Sequence, residues 1–173
     1  MGAGKIIAII GGILGILTIG LYYVLPEIFC LWRLDGDPIF SVFLGGFGFK
    51  TGTNAILPPP WPLGDYGPEY AEDILVLLVG VLIVAGGALA IVGGLIGNKM
   101  IGILGGVLMI AGPILLTIAL ILELGDFEDM ALLLGDKSLL FGSETGVDWG
   151  LWIGSFLAIG GGVLGVIGGA TVD

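Results

Sequence analysis

Four stretches of the chain contain no charged residue and are long enough to cross a membrane as helices. A helix needs about 20 mainly apolar residues to cross roughly 30 Å of hydrocarbon. None of the stretches alternates apolar and polar residues as a membrane β-strand does. The sequence therefore predicts an all-α integral membrane protein, a bundle of four transmembrane helices. The predicted spans are residues 6–24, 74–98, 100–122 and 149–172.

Composition excludes several classes of function. Of the 173 residues, 57 % are hydrophobic and 12 % are charged, whereas a soluble domain carries about a quarter charged residues. With Lys+Arg 5 against Asp+Glu 15, the chain lacks the basic surface that nucleic-acid binding requires. His 0 and Cys 1 remove the commonest general base and the usual metal-ligand sets. We expect no enzyme, no catalytic residue and no cofactor.

The four spans place two longer loops, residues 25–73 and 123–148, on one side of the membrane. These loops hold every one of the 15 acidic residues except Asp173. Lys5 and Lys99 flank spans on the other side, and basic residues near span ends stay cytoplasmic. We therefore expect a multi-pass protein of the cell membrane with cytoplasmic termini and both long loops extracellular.

The two loops contain too many apolar residues to be solvated tails, so we expect them to pack into a small extracellular cap. Residues 39–44 and 47–51 flank Gly45 and Gly46, which predicts a β-hairpin with these glycines as its two-residue turn. In the second loop, Asp126 could cap a short helix that extends to Leu134.

Glycine is the second unusual feature of the chain, with 35 in 173 residues against about 7 % in ordinary proteins. Many lie in the spans four residues apart, a spacing that lets two helix backbones approach closely. The partner could be another helix of the same chain or a second subunit, and for at least one glycine of the ridge on the last span, residues 160–169, we expect a second subunit. The predicted helix-interface residues are Gly11, Gly15, Gly93, Gly97, Gly161, Gly165 and Gly169.

Clustered carboxylates in the loops are weak candidates for a bound hard cation such as calcium. The spacing of an EF-hand loop is absent, so an acidic solvated surface is the simpler interpretation and we predict no metal site. The weak candidates are Asp35, Asp37, Asp126, Glu128 and Asp129.

The layout resembles that of claudin- and tetraspanin-type four-pass proteins: inner termini, a larger first outer loop with β character and a tight inner turn. The first outer loop of claudins carries a Gly-Leu-Trp sequence followed by a pair of cysteines. Here that loop has the single Cys30, and Gly150-Leu151-Trp152 lies near the other end of the chain. The Cys-Cys-Gly motif of tetraspanins is absent. The resemblance implies the four-helix layout only.

The leading hypothesis is a structural or interaction protein that assembles through its glycine-rich helices and acidic cap, with copies of itself or with partners in the lipid bilayer. An accessory subunit of a larger energy-transducing or transport complex is the alternative. A pore between protomers is a weaker alternative. The spans contain no Asp, Glu, Lys, Arg or His, the residues that mark ion and proton pathways, which argues against a pore within one protomer.

Overall fold

Four long helices dominate the computed structural model, which describes residues 2–36, 40–51, 74–124, 127–128, 131, 134–135, 137–144 and 146–172. Each is long and apolar enough to cross a membrane. They are α1 (Ala3–Tyr22), α3 (Ile74–Ile96), α4 (Lys99–Ile121) and α5 (Ile153–Ala170). A short helix, α2 (Pro26–Phe29), follows α1.

The helices form a closed ring in which each packs on two neighbours. The neighbouring pairs are α1 with α3, α3 with α4, α4 with α5 and α5 with α1. Large aliphatic side chains such as Leu77, Val107 and Ile167 point outward. The inward positions repeat every seven residues, as in Gly86-Gly87 and Gly93-Gly94. A seven-residue repeat keeps one seam of a helix on its neighbours when the helices supercoil in a left-handed sense.

The turn between α3 and α4 is tight because its residues satisfy both helix ends. Gly97 has a φ of 73°, a backbone conformation that glycine adopts without steric cost. The Asn98 amide donates to the Gly93 carbonyl at 2.9 Å, which closes the end of α3. The Asn98 side chain accepts from the Ile101 amide at 3.2 Å and caps α4.

A five-stranded antiparallel sheet lies at the opposite end of the bundle from this turn. The first loop contributes three strands and the second loop two, so the two loops meet on one side of the bundle. The spatial order is β3-β2-β1-β5-β4. The strands are β1 (Trp32–Gly36), β2 (Phe40–Gly45), β3 (Gly48–Thr51), β4 (Phe141–Glu144) and β5 (Val147–Leu151).

The cap differs from the sequence prediction of an all-α protein with one hairpin, because it holds a five-stranded sheet. The hairpin turn is Gly46-Phe47, not Gly45-Gly46, because Gly45 pairs with Gly48 and so belongs to β2. The last helix begins at Ile153, since Trp149 to Leu151 pair with β1 as part of β5. Hydropathy does not separate the apolar residues at the end of β5 from the apolar helix that follows, so the sequence predicted one continuous span.

The sheet packs on the end of the bundle opposite the α3–α4 turn. Trp32, Leu34, Leu44 and Trp149 on its inner face are buried together with Ile83 and other large side chains of the helices. The β2–β3 turn also reaches the helices, where a Cβ on Gly46 would lie 2.9 Å from the Gly80 Cα. The bundle is thus packed by large aliphatics beneath the sheet and by glycines toward its other end.

Candidate interaction sites in the bundle and the cap

Each long helix contributes one Gly-Gly pair to a single layer of the bundle, and each glycine of a pair faces a different neighbour. A Cβ built on Gly11 would lie 2.5 Å from the Gly161 carbonyl oxygen, and one built on Gly161 would lie 2.7 Å from that of Gly11. Real Cβ atoms do not approach this closely. We call this layer the glycine ring; it comprises Gly11, Gly12, Gly86, Gly87, Gly105, Gly106, Gly161 and Gly162.

The glycine ring brings helix backbones into direct contact. Without side chains between them, the helices gain dispersion contacts and short Cα–H···O approaches, which stabilise helix association in lipid. A Cβ on Gly162 would meet the Gly106 carbonyl oxygen at 2.7 Å, which closes the α4–α5 side in the same way. The tight packing therefore runs around all four sides of the bundle.

The predicted interface glycines of the last helix all face helices of the same chain. Gly161 faces Gly11 of α1; a Cβ on Gly165 would lie 3.0 Å from the Gly106 Cα, and one on Gly169 would lie 2.6 Å from the Ile103 amide. The expected contact of at least one glycine of residues 160–169 with a second subunit stays a prediction, since a Cβ on Gly160 would meet nothing within 4 Å. Gly161, Gly165 and Gly169 lie on a different face of α5. The neighbours α1 and α4 already occupy that face of α5.

The remaining predicted glycines have different surroundings. Gly93 packs on the backbone of Gly102, so it belongs to the α3–α4 contact. Gly97 lies outside the helix and makes the turn after α3, with the Lys5 ammonium beside it. A Cβ on Gly15 would meet the Met109 side chain, and the Gly15 amide nitrogen lies 3.2 Å from the Cβ position of Gly161.

Met109 fills the space beside the glycine ring. Its side chain is fully buried and contacts Gly15 of α1, Gly86 of α3 and Gly161 of α5. A methionine suits this position because its unbranched, flexible chain fills irregular gaps between backbones. One side chain of α4 therefore contacts all three other long helices near the bundle axis.

Buried hydrogen bonds fix the sheet to the helices. The Ser155 hydroxyl of α5 donates to the Leu31 carbonyl at 2.8 Å, and the Tyr22 hydroxyl at the end of α1 donates to the Phe43 carbonyl at 2.8 Å. Buried side-chain hydrogen bonds of this kind hold one geometry, because breaking them leaves unsatisfied polar groups in an apolar region.

The two loops are also tied to each other. The fully buried Trp32 indole N–H of the first loop donates to the Leu139 carbonyl of the second loop at 2.7 Å. Within the segment between α4 and α5, the Trp149 indole N–H donates to the Ser138 carbonyl at 2.8 Å. Buried tryptophans usually find such a partner for their N–H. The cap is therefore one folded unit made from both loops.

The weak metal candidates do not come together in the described part of the chain. Asp35 accepts an ion pair from Arg33, with Nη2 and Oδ2 2.8 Å apart, and Glu128 is exposed in the other loop. Asp37, Asp126 and Asp129 lie outside the described residues, as does most of the short helix predicted from Asp126. Among the described residues, no group of three or more acidic, cysteine or histidine side chains could hold a metal.

A groove of about 290 Å³ lies where the sheet meets the start of α5. Residues that share one face of adjacent strands line it: Arg33 pairs with Gly150, and Gly150 pairs with Phe141. Gly150 forms the floor, because a Cβ there would lie 2.7 Å from Cδ1 of the Phe141 ring. We call this the junction groove; its lining includes Arg33, Phe141, Asp148, Gly150, Trp152 and Phe156.

The polar part of the junction groove has a defined geometry. The Arg33 guanidinium lies 4.0 Å above the Trp152 ring centroid, a cation–π contact. Asp35 and Asp148 are cross-strand partners beside it. The Trp152 indole N–H is buried and has no hydrogen-bond partner among the described residues, and leaving such a group unsatisfied costs about 1–3 kcal/mol.

Neither the glycine ring nor the junction groove was found from the sequence, although each has a signal there. Gly-Gly pairs seven residues apart, as in 161–162 and 168–169, mark a heptad repeat with two small positions. Asp148, Gly150 and Trp152 alternate with apolar residues before the last span, the period of a strand. Hydropathy alone assigns the same residues to a helix.

Cys30 lies close to the junction groove but is chemically protected. It is completely buried, in a cluster with Tyr22 and Phe43 and packed against Trp152. Burial raises the pKa of its thiol to about 12 from 9.0, a shift that the nearby Arg33 charge only partly offsets. Because the thiolate is the reactive form, this cysteine has a packing role.

Compared with models of protein families, with curated proteins and with solved structures, the chain matches none.

Proposed function

We propose that this chain is a structural or interaction protein of the cell membrane, without catalytic activity, whose bundle holds the cap in a fixed position at the outer surface. Its termini are cytoplasmic and the cap is extracellular, consistent with Lys5 and Lys99 at the other end of the spans. The cap then meets copies of the same chain or partners in the same membrane.

The observation that carries this proposal is the outer edge of β4. The Leu151 amide donates to the Leu140 carbonyl at 3.0 Å, which makes these two residues a hydrogen-bonded pair. Because hydrogen-bonded and non-bonded pairs alternate in antiparallel strands, the main-chain groups of Phe141 and Ser143 point away from β5. An outward row of backbone donors and acceptors is a template for another strand.

The glycines support assembly through the cap and not through the helices. Gly11, Gly86, Gly105 and Gly161 are occupied by backbone contacts within the chain. The outward faces of the helices carry bulky aliphatics such as Ile13, Val81 and Leu104, which suit contact with lipid. We therefore assign these inward-facing glycines to holding the bundle and the sheet edge to binding a partner.

Native mass measurement after gentle detergent extraction tests this proposal. We expect the wild-type protein to contain more than one copy of the chain. Ser143→Pro should yield a monomer, because proline removes an edge donor without removing a hydrogen bond to β5. Ser143→Thr, which keeps the donor and favours strands, is the matched control. A wild-type monomer, or a Ser143→Pro variant that assembles normally, would refute self-assembly through this edge.

The alternative is an accessory subunit of a larger energy-transducing or transport complex. It predicts a larger subunit in stoichiometric amounts in the same native particle. The weaker alternative, a pore between protomers, predicts conductance across vesicles that Ser143→Pro abolishes. Met109 closes the space among the helices near the glycine ring, which disfavours a path through one protomer.

A further inference from the structure

We propose that the junction groove binds a zwitterionic phospholipid, with the lipid ammonium at Asp148, the lipid phosphate at Arg33 and the start of an acyl chain against Phe156. The occupant is a lipid of the leaflet that surrounds the cap. This proposal does not depend on assembly through the edge of β4.

The junction groove lies at the level of the lipid headgroups. Helix α5 has 18 residues and is about 27 Å long at 1.5 Å per residue, so nearly all of it is needed to cross the hydrocarbon. Trp152 precedes its first residue and therefore lies at the level of the lipid headgroups, where tryptophan is enriched. Phe156 lies one turn farther into the hydrocarbon.

The lining of the junction groove is amphipathic. Arg33 and Asp148 supply charge on the side of the sheet, whereas Ile153 and Phe156, which are 43 % and 56 % exposed, form the wall on the side of α5. A phospholipid likewise has a charged headgroup followed by apolar acyl chains. A soluble polar ligand would leave the apolar wall unused.

The charges in the junction groove are complementary to those of a zwitterionic headgroup. Arg33 supplies one positive charge, and Asp35 and Asp148 supply two negative charges on the same face of the sheet. Asp35 is ion-paired with Arg33, and the groove lining itself holds one charge of each sign, Arg33 and Asp148, which matches a headgroup with both signs better than a purely anionic one. A headgroup that carries both signs places its phosphate at the guanidinium and its ammonium at the remaining carboxylate.

Arg33 and Trp152 are in contact in the polar part of the junction groove. Stacking over the indole ring orients the guanidinium, whose five N–H donors lie in one plane and suit a phosphate. The ion pair with Asp35 joins Nη2 of Arg33 to Oδ2 of the carboxylate.

The test measures which lipid stays bound to the protein. The protein is taken from vesicles that contain equal amounts of phosphatidylethanolamine and phosphatidylglycerol and is analysed by native mass spectrometry. We expect phosphatidylethanolamine to be retained about threefold over phosphatidylglycerol, the preference that one exposed ion pair provides. Asp148→Asn should bring the ratio close to one. Asp148→Glu should preserve it, and so should Glu128→Gln, which removes an exposed carboxylate outside the junction groove.

A second pair of variants tests the apolar wall. Phe156→Ala should reduce retention of both lipids, whereas Ile167→Ala, a lipid-facing change near the other end of α5, should not. Equal retention of the two lipids by the wild-type protein, or an unchanged ratio in Asp148→Asn, would overturn the proposal. Displacement of the lipid by soluble glycerophosphoethanolamine at equal concentration would exclude the acyl chain as part of the ligand. None of these outcomes changes the number of chains in the native particle, so failure here is distinct from failure of edge assembly.

Discussion

Gly86 and Gly105 contact each other reciprocally across the α3–α4 interface. A Cβ on either residue would lie 2.6 Å from the carbonyl oxygen of the other. The two helices therefore meet backbone to backbone, at a separation that alanine does not permit. The contact is part of a layer that runs around the whole bundle, so a change at one glycine affects packing that all four helices share.

Gly86→Ala should lower the free energy of unfolding by about 1–3 kcal/mol, the usual effect of overpacking a tight core. Gly160→Ala is the matched control, because a Cβ at Gly160 meets nothing within 4 Å. Alanine there should leave stability unchanged or raise it by up to about 1 kcal/mol through helix propensity. Thermal melting in one detergent compares the two. Equal melting temperatures would contradict the glycine ring as a packing requirement.

Gly161→Leu should lower the melting temperature of the bundle without selectively abolishing assembly. The added side chain would meet the Gly11 carbonyl and the Met109 side chain, both within the same chain. Native mass and thermal melting of one sample separate the two effects. A folded, stable monomer would instead place a second subunit at this glycine.

Trp32→Phe should destabilise the cap more than the spans. The change removes the N–H donor to the Leu139 carbonyl and leaves that buried acceptor unsatisfied, at a cost of about 1–3 kcal/mol. Limited proteolysis should then cut the second loop faster while the helices stay intact. Tyr23→Phe, at an exposed tyrosine of the same end of the bundle, is the control and should leave the cleavage rate unchanged.

Cys30 should resist alkylation in the native protein and react after unfolding. Its folded pKa is raised to about 12 from 9.0 by burial, so the thiol stays neutral while an unfolded thiol ionises. The associated stability is complete below about pH 9 and is lost as pH rises from about 9 to about 12, because ionisation then favours the unfolded state. Labelling across pH 7–10 checks this; rapid native labelling at pH 8 would contradict the buried environment.

The proposed orientation predicts that Lys137→Cys is labelled by an impermeant thiol reagent on intact cells and that Lys99→Cys is not. The Lys137 side chain is 42 % exposed and pairs with Glu144 in the cap, whereas Lys99 begins α4 at the other end of the bundle. The buried Cys30 should give no background signal. Labelling of Lys99→Cys alone would invert the topology.

Sequence reasoning identified the four spans because uncharged apolar runs have few alternatives in a chain of this composition. It did not find β1, β4 or β5, since Trp32 pairs with Leu151 across most of the chain. Local patterns identify a hairpin such as β2–β3 but not a strand whose partner is in another loop. Trp149 was assigned to the last helix for the same reason, because hydropathy does not distinguish a buried strand from a span.

The glycine contacts were predictable in kind but not in partner. Spacing of four residues indicated close helix approach at Gly11 and Gly161, and the structure has both at helix contacts. Which helix each would meet depends on the register of antiparallel neighbours, which the loops and the sheet determine. Gly97 shows the limit of spacing alone, because its positive φ places it in a turn.

The single residue between β5 and α5 has a mechanical consequence. Strand β5 ends at Leu151, α5 begins at Ile153, and the Trp152 amide donates to the Leu31 carbonyl at 2.9 Å. The helix and the strand therefore turn together, with no flexible linker to separate them. Transmembrane helices change their tilt when bilayer thickness changes. Because the four long helices pack as one ring and the cap is hydrogen-bonded to both α1 and α5, the sheet follows the tilt of the whole bundle.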